Sequence, residues 1–134
     1  VRSTLLSLAT VAATGAGLLS AAPAYAEAGE SALILTRTGA SLSADAPAER
    51  RHVVLACDPE PAGSHPDAAG ACATLERAGA DFTAIPRGQS ACTMEYAPVT
   101  VTARGYWHGS EVRYSREFSN PCLARRDTAE VFAF

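Results

Sequence analysis

Short runs of apolar and β-branched residues, separated by turn-forming residues, set the rhythm of the chain beyond residue 30. Ala32-Leu33-Ile34-Leu35-Thr36 and His52-Val53-Val54-Leu55-Ala56-Cys57 each read as a strand. Gly39 to Glu49, small and polar around Pro47, is the loop between them, and the prolines and glycine of Asp58–Gly63 stop the second strand. The period then changes. Ala68, Cys72, Leu75 and Ala78 fall on one face at helical spacing, and Gly79 closes the segment. Ser64 is the expected N-cap, with Pro66 in the first turn and Asp67 complementing the helix dipole. Phe82 and Ile85 are expected to point inward from the connection that follows.

Gln89 to Pro98 lies between turn signals and reads as a loop. Alternation returns at Val99-Thr100-Val101-Thr102-Ala103, and again over Glu111–Phe118, where Val112, Tyr114 and Phe118 share a face. Arg104-Gly105 and Gly109-Ser110 are expected to bend the hairpin between these strands. Asn120-Pro121-Cys122 opens a short turn or one-turn helix, and Val131-Phe132-Ala133-Phe134 reads as a terminal strand. These elements predict an α+β domain: a five-stranded antiparallel sheet with one main helix and one short helix packed on one face.

Composition narrows the functional classes. The chain has 134 residues and a formal net charge of −3, and all of its 11 positive charges are arginine. Such a balance offers no basic field to a nucleic-acid backbone. Beyond the N-terminus no apolar run is long enough to span a bilayer. The N-terminus itself carries Arg2, an apolar stretch from Leu5 to Leu19, and Ala24-Tyr25-Ala26, which together predict a secretory signal peptide over residues 1–26 and an exported domain over 27–134. Export means an oxidising compartment, where cysteines pair. The four cysteines, Cys57, Cys72, Cys92 and Cys122, suit two disulfides, and sequential pairing is one of the three connectivities they allow. Neither C-x-x-C nor H-x-x-x-H spacing occurs, so the residues point to no metal and imply no cofactor.

The stretch Cys92-Thr93-Met94-Glu95-Tyr96-Ala97-Pro98-Val99 resembles the reactive loop of the Streptomyces subtilisin inhibitor family. Gly63-Ser64-His65-Pro66, Phe118-Ser119-Asn120-x-Cys122 and the final Val-Phe-Ala-Phe are similar to further landmarks of that family, in the same order. The resemblance implies a secreted inhibitor of subtilisin-like serine proteases, not an enzyme, and usually a homodimer. It implies a reactive bond at Met94–Glu95, with Cys92, Thr93, Tyr96 and Ala97 in the protease-binding loop. It also implies the pairings Cys57–Cys72 and Cys92–Cys122. Thr93 and Glu95 depart from the family pattern, which more often has proline before the specificity residue and an apolar residue after it.

The loop's chemistry agrees with that role. Met94 is unbranched and apolar and fits a roomy hydrophobic pocket, as in subtilisin-like and chymotrypsin-like enzymes. A bridge from Cys92 to Cys122 would clamp one side of the loop, and Pro98 with the following strand would clamp the other. The Asn120 amide is expected to hydrogen-bond to the loop backbone. Trp107 is weighed between burial against the sheet and a dimer contact together with Ile34; the resemblance implies the latter, since the family dimerises through its sheet and aromatic residues are enriched at interfaces. A binding domain on the same scaffold without inhibitory activity is the alternative reading. A small hydrolase fits poorly: His52, His65 and His108 stand near no G-x-S-x-G nucleophile motif.

Overall fold

In the computed structural model, residues 30–40 and 48–134 are described. The expected signal segment 1–26, the residues 27–29 that follow it, and the middle of the first inter-strand loop, 41–47, lie outside them.

Five antiparallel strands form one sheet in the order β3-β2-β1-β4-β5. They are β1 (Ala32–Gly39), β2 (Arg50–Ala56), β3 (Ala62–Gly63), β4 (Val99–Trp107) and β5 (Ser110–Phe118). Helix α1 (Ala68–Ala78) follows β3, and α2 (Pro121–Asp127) follows β5. Alternation along the strands decides the layers. Leu33, Leu35, Val53, Leu55, Val99, Val101 and Ala103 are buried on one face, against Leu75 of α1, Ala124 of α2 and Phe132. The opposite parity puts Ile34, Val54 and Tyr106 on the outer face, where all three are exposed. Among the described residues no helix is long and apolar enough to cross a membrane.

Four expectations need correction. The N-cap of α1 is Asp67, whose carboxylate accepts from the Gly70 N–H at 2.9 Å. Ser64 instead pairs with β2: its N–H donates to the Val54 carbonyl, and its Oγ accepts from the Val54 N–H. Second, the β4–β5 hairpin has one bend, at His108 and Gly109, both in the left-handed region. Gly105 stays inside β4 with φ 148°, where a Cβ would stand 2.1 Å from the Ala32 carbonyl oxygen of β1, so only glycine fits there. Third, α2 runs two turns rather than one. Fourth, Val131–Phe134 is not a strand. The Val131 and Ala133 N–H groups bond locally to the Thr128 and Glu130 carbonyls, and Val131 and Phe132 are both buried. Two adjacent buried side chains break strand alternation; this tail is a plug. Phe132 sits beneath the sheet near Phe82, which stacks on Tyr114 with ring centroids 4.4 Å apart. Burial there raises the Tyr114 pKa above its ordinary value. The fifth strand is therefore β3, a two-residue ladder that no sequence period announces.

Candidate functional site

Residues 86–98 carry no regular structure, a long stretch for so small a domain, and such loops are commonly functional. Met94 at its crest is 93% exposed and Tyr96 is 76% exposed. An exposed methionine forgoes the burial that usually places it, so its position must come from the backbone beneath it.

That backbone is held by one short piece of chain, Ser119–Asp127. At the entry, the Gly88 N–H donates to the Arg126 carbonyl at 2.8 Å, and Arg87 pairs with Asp127 at 3.3 Å. Cys92 is bonded to Cys122, with 5.7 Å between their Cα atoms. At the exit, the Ala97 N–H donates to the Ser119 carbonyl at 2.8 Å, and Pro98 passes directly into β4. In the middle stands Asn120, 1% exposed. Its Nδ2 donates to the carbonyl oxygens of Thr93 and Glu95, at 3.0 Å each. One amide thus grips the chain on both sides of Met94, the hydrogen bond expected of Asn120 and a second one besides.

Local sequence explains why Asn120 can do this. Its extended backbone makes it the N-cap of α2, with Pro121 at the first helical position. The side-chain Oδ1 accepts from the Leu123 N–H at 2.9 Å, which orients the amide so that Nδ2 faces the loop. Helix α2 is fixed in turn by Ala124 in the core and by the buried Thr128 hydroxyl, which donates to the Ala124 carbonyl at 2.7 Å. Rigidity passes from core to helix, from helix to Asn120, and from Asn120 to the loop.

The remaining candidates fall elsewhere. Cys57 and Cys72 form the second disulfide, joining the exit of β2 to α1. Ile34 lies on the outer sheet face, but Trp107 is in the core at 5% exposure and offers no surface to a second copy. Tyr106 and Val54 occupy the outer face instead. His52 is exposed on β2, and His65 is buried with its ring between the Asp67 N–H and the Val131 carbonyl. His108 lies 3.1 Å from Glu76 and 3.5 Å from the Ser31 hydroxyl. This superficially triad-like set has no access to a substrate: Ser31 is 1% exposed and its Oγ accepts from the His108 backbone N–H. Among the described residues no group of three or more His, Cys, Asp or Glu is arranged to hold a metal.

The family described as subtilisin inhibitor-like matches residues 29–120. Subtilisin inhibitor-like protein 2 of Streptomyces rochei is 47% identical over 105 residues, covering 78% of this chain and 92% of that protein. The protease inhibitor of Streptomyces lividans is 44% identical over 135 residues, covering 96% and 93%. Among solved structures, Streptomyces caespitosus sermetstatin in complex with Bacillus licheniformis subtilisin matches with a TM-score of 0.61 and 31% identity, covering 79% of this chain and 100% of that one.

Proposed function

Because the chain belongs to the subtilisin inhibitor-like family, we propose that it inhibits subtilisin-like serine proteases by offering Met94–Glu95 as a substrate-like bond that is cut and resealed faster than it is released. The observation that carries this reading is the single Asn120 amide bonded to the carbonyls on both sides of an almost fully exposed Met94.

A protease binds its substrate as an extended strand with the specificity side chain in a pocket. A free peptide loses about 1–2 kcal/mol of backbone entropy per residue on being ordered. The loop here is ordered beforehand, so that loss is largely avoided and the interface can be tight for its area. The protease's serine oxygen attacks the Met94 carbonyl carbon, the bond to the Glu95 nitrogen breaks, and that nitrogen takes up the proton. In an ordinary substrate the new amine then leaves and water enters. Here Cys92–Cys122, Asn120 and the Ala97–Ser119 hydrogen bond hold both new ends. The Glu95 nitrogen returns to the acyl carbon, expels the serine oxygen and restores the peptide bond, with its proton going back to the enzyme.

Titration of the purified protein into subtilisin tests this. Loss of protease activity to completion at one inhibiting chain per enzyme is expected; unchanged activity would refute inhibition and leave the non-inhibitory binding domain. Chymotrypsin-like enzymes with apolar pockets are expected to be inhibited as well. Met94→Lys should move preference toward trypsin-like pockets by at least tenfold, since an acidic pocket rewards a buried cation. An unchanged profile would place the specificity residue elsewhere.

We further propose secretion after removal of residues 1–26, and a homodimer formed through the outer sheet face. Ile34 pairs directly across from Val54, Tyr106 lies one strand away, and neither helix covers this face. Ile34→Glu would put a further charge on that face, beside Arg104 across the β1–β4 ladder. Sedimentation should show wild-type dimers and Ile34→Glu monomers; a wild-type monomer at micromolar concentration would refute the dimer.

A further inference from the structure

We infer that Thr93 and Glu95 act as a coupled pair of positioning residues, tying the two sides of the reactive bond together from outside the loop. This inference rests on the inhibitory reading above and deepens it. The Thr93 hydroxyl donates to the Glu95 carboxylate at 3.4 Å, across the outward-pointing Met94. The same two residues present their carbonyls inward to Asn120. The reactive bond is therefore spanned twice, by an amide on the inside and by a pair of side chains on the outside.

Cleavage of Met94–Glu95 leaves Thr93 on the acyl side and Glu95 at the head of the amine side. Their hydrogen bond crosses the cut. It is one of the few interactions whose loss would let the amine drift from the acyl carbon before resealing. Each residue taken singly is a poor choice for the task. Threonine lacks the ring that fixes φ in proline, and a carboxylate beside the reacting bond must be desolvated when the enzyme covers it. Together they supply each other's need. Threonine's branched side chain is stiff at χ1 and holds the hydroxyl in place, and the hydroxyl gives the covered carboxylate a donor.

The tie also has a characteristic place of action. In the free protein both side chains are exposed, water competes, and the bond adds little to stability. Once a protease covers the loop, water leaves and the local dielectric falls, so the same bond strengthens. The pair acts in the complex, during the interval between cutting and resealing.

A double-mutant cycle with subtilisin tests this, using Thr93→Val, Glu95→Ala and the double variant. Net hydrolysis at Met94–Glu95 in the one-to-one complex is followed by mass spectrometry, and the unfolding midpoint of each free protein is measured alongside. Each single substitution should raise net hydrolysis about five- to tenfold, as expected for one hydrogen bond of ordinary net strength, with the midpoint unmoved. The double variant should be no worse than the worse single one, and Thr93→Ser should recover most of what Thr93→Val loses. A double variant whose effect equals the product of the two singles would overturn the coupling while leaving inhibition intact, as would midpoints that fall in step with the rates. A wild-type protein that is digested freely, or cut at another bond, would overturn the inhibitory reading and this inference with it.

Discussion

Asn120→Asp should turn the protein from an inhibitor into a substrate while leaving it folded. The two functions of Asn120 sit on different atoms. Its Oδ1 caps α2 by accepting from Leu123, and its Nδ2 holds the Thr93 and Glu95 carbonyls. Aspartate is as good an N-cap as asparagine, so the helix keeps its start. The atom that replaces Nδ2 is an oxygen, which faces two carbonyl oxygens with no hydrogen to share. Two loop hydrogen bonds are lost at about 1 kcal/mol each, and the buried carboxylate is also repelled by the carbonyls it faces, so net hydrolysis of the reactive bond should rise by roughly 30-fold or more. Asn120→Ala removes both loop hydrogen bonds and the cap, the cap being worth about 1 kcal/mol, but buries no charge. Measuring subtilisin inhibition and thermal unfolding on both variants separates the contributions. An Asn120→Asp protein that inhibits as well as the wild type would show that the amide is not what holds the cut ends.

How far this site could be read from sequence depends on the range of the forces involved. Asn120-Pro121 announces a helix start, because both the cap and the fixed φ of proline act locally. The loop was legible for the same reason: turn residues flank it and no apolar period crosses it. Strand parity sets Leu33 and Leu35 on one face and Ile34 on the other, and the structure makes the first of these the core face. Extended past Gly105, that parity also puts Trp107 inside, on the face of Val99, Val101 and Ala103. Taking Gly105 for a bend hid this, since glycine marks a turn and a close strand approach with the same letter. The start of α1 is ambiguous in the sequence because Ser64, Pro66 and Asp67 are all acceptable near a helix N-terminus, and pairing of Ser64 with Val54 across the sheet chooses between them. Val131–Phe134 has strand-forming residues, but its backbone bonds locally instead of pairing with an edge of the sheet. What fills the space below Phe82 and Tyr114 is a tertiary matter that no local propensity encodes. The Thr93–Glu95 tie depends on two rotamers meeting above Met94, which residue types permit but do not specify.

Removing the Cys92–Cys122 bridge should abolish inhibition, whereas removing Cys57–Cys72 should not, although both lower stability by similar amounts. The bridges close loops with sequence separations of 30 and 15 residues. In the loop-closure account these correspond to about 3.6 and 3.0 kcal/mol of unfolded-state entropy. For a domain of roughly 100 residues, each loss should lower the unfolding midpoint by about 12–25 °C. The structural consequences differ. Cys57–Cys72 joins β2 to α1 and contains no loop residue, so the loop retains Asn120, Ala97 and its own bridge. Cys92 stands two residues before Met94, and without its bond to Cys122 the acyl side of the cut is tethered only by hydrogen bonds and the Arg87–Asp127 ion pair. Serine should replace both cysteines of a bridge together, so that no free thiol remains, and inhibition should be assayed well below both midpoints. The Cys57→Ser/Cys72→Ser protein is then expected to inhibit subtilisin stoichiometrically, and the Cys92→Ser/Cys122→Ser protein to be consumed as a substrate. Equal loss of inhibition in both would mean that inhibition follows global stability, and a locally braced loop would no longer explain it.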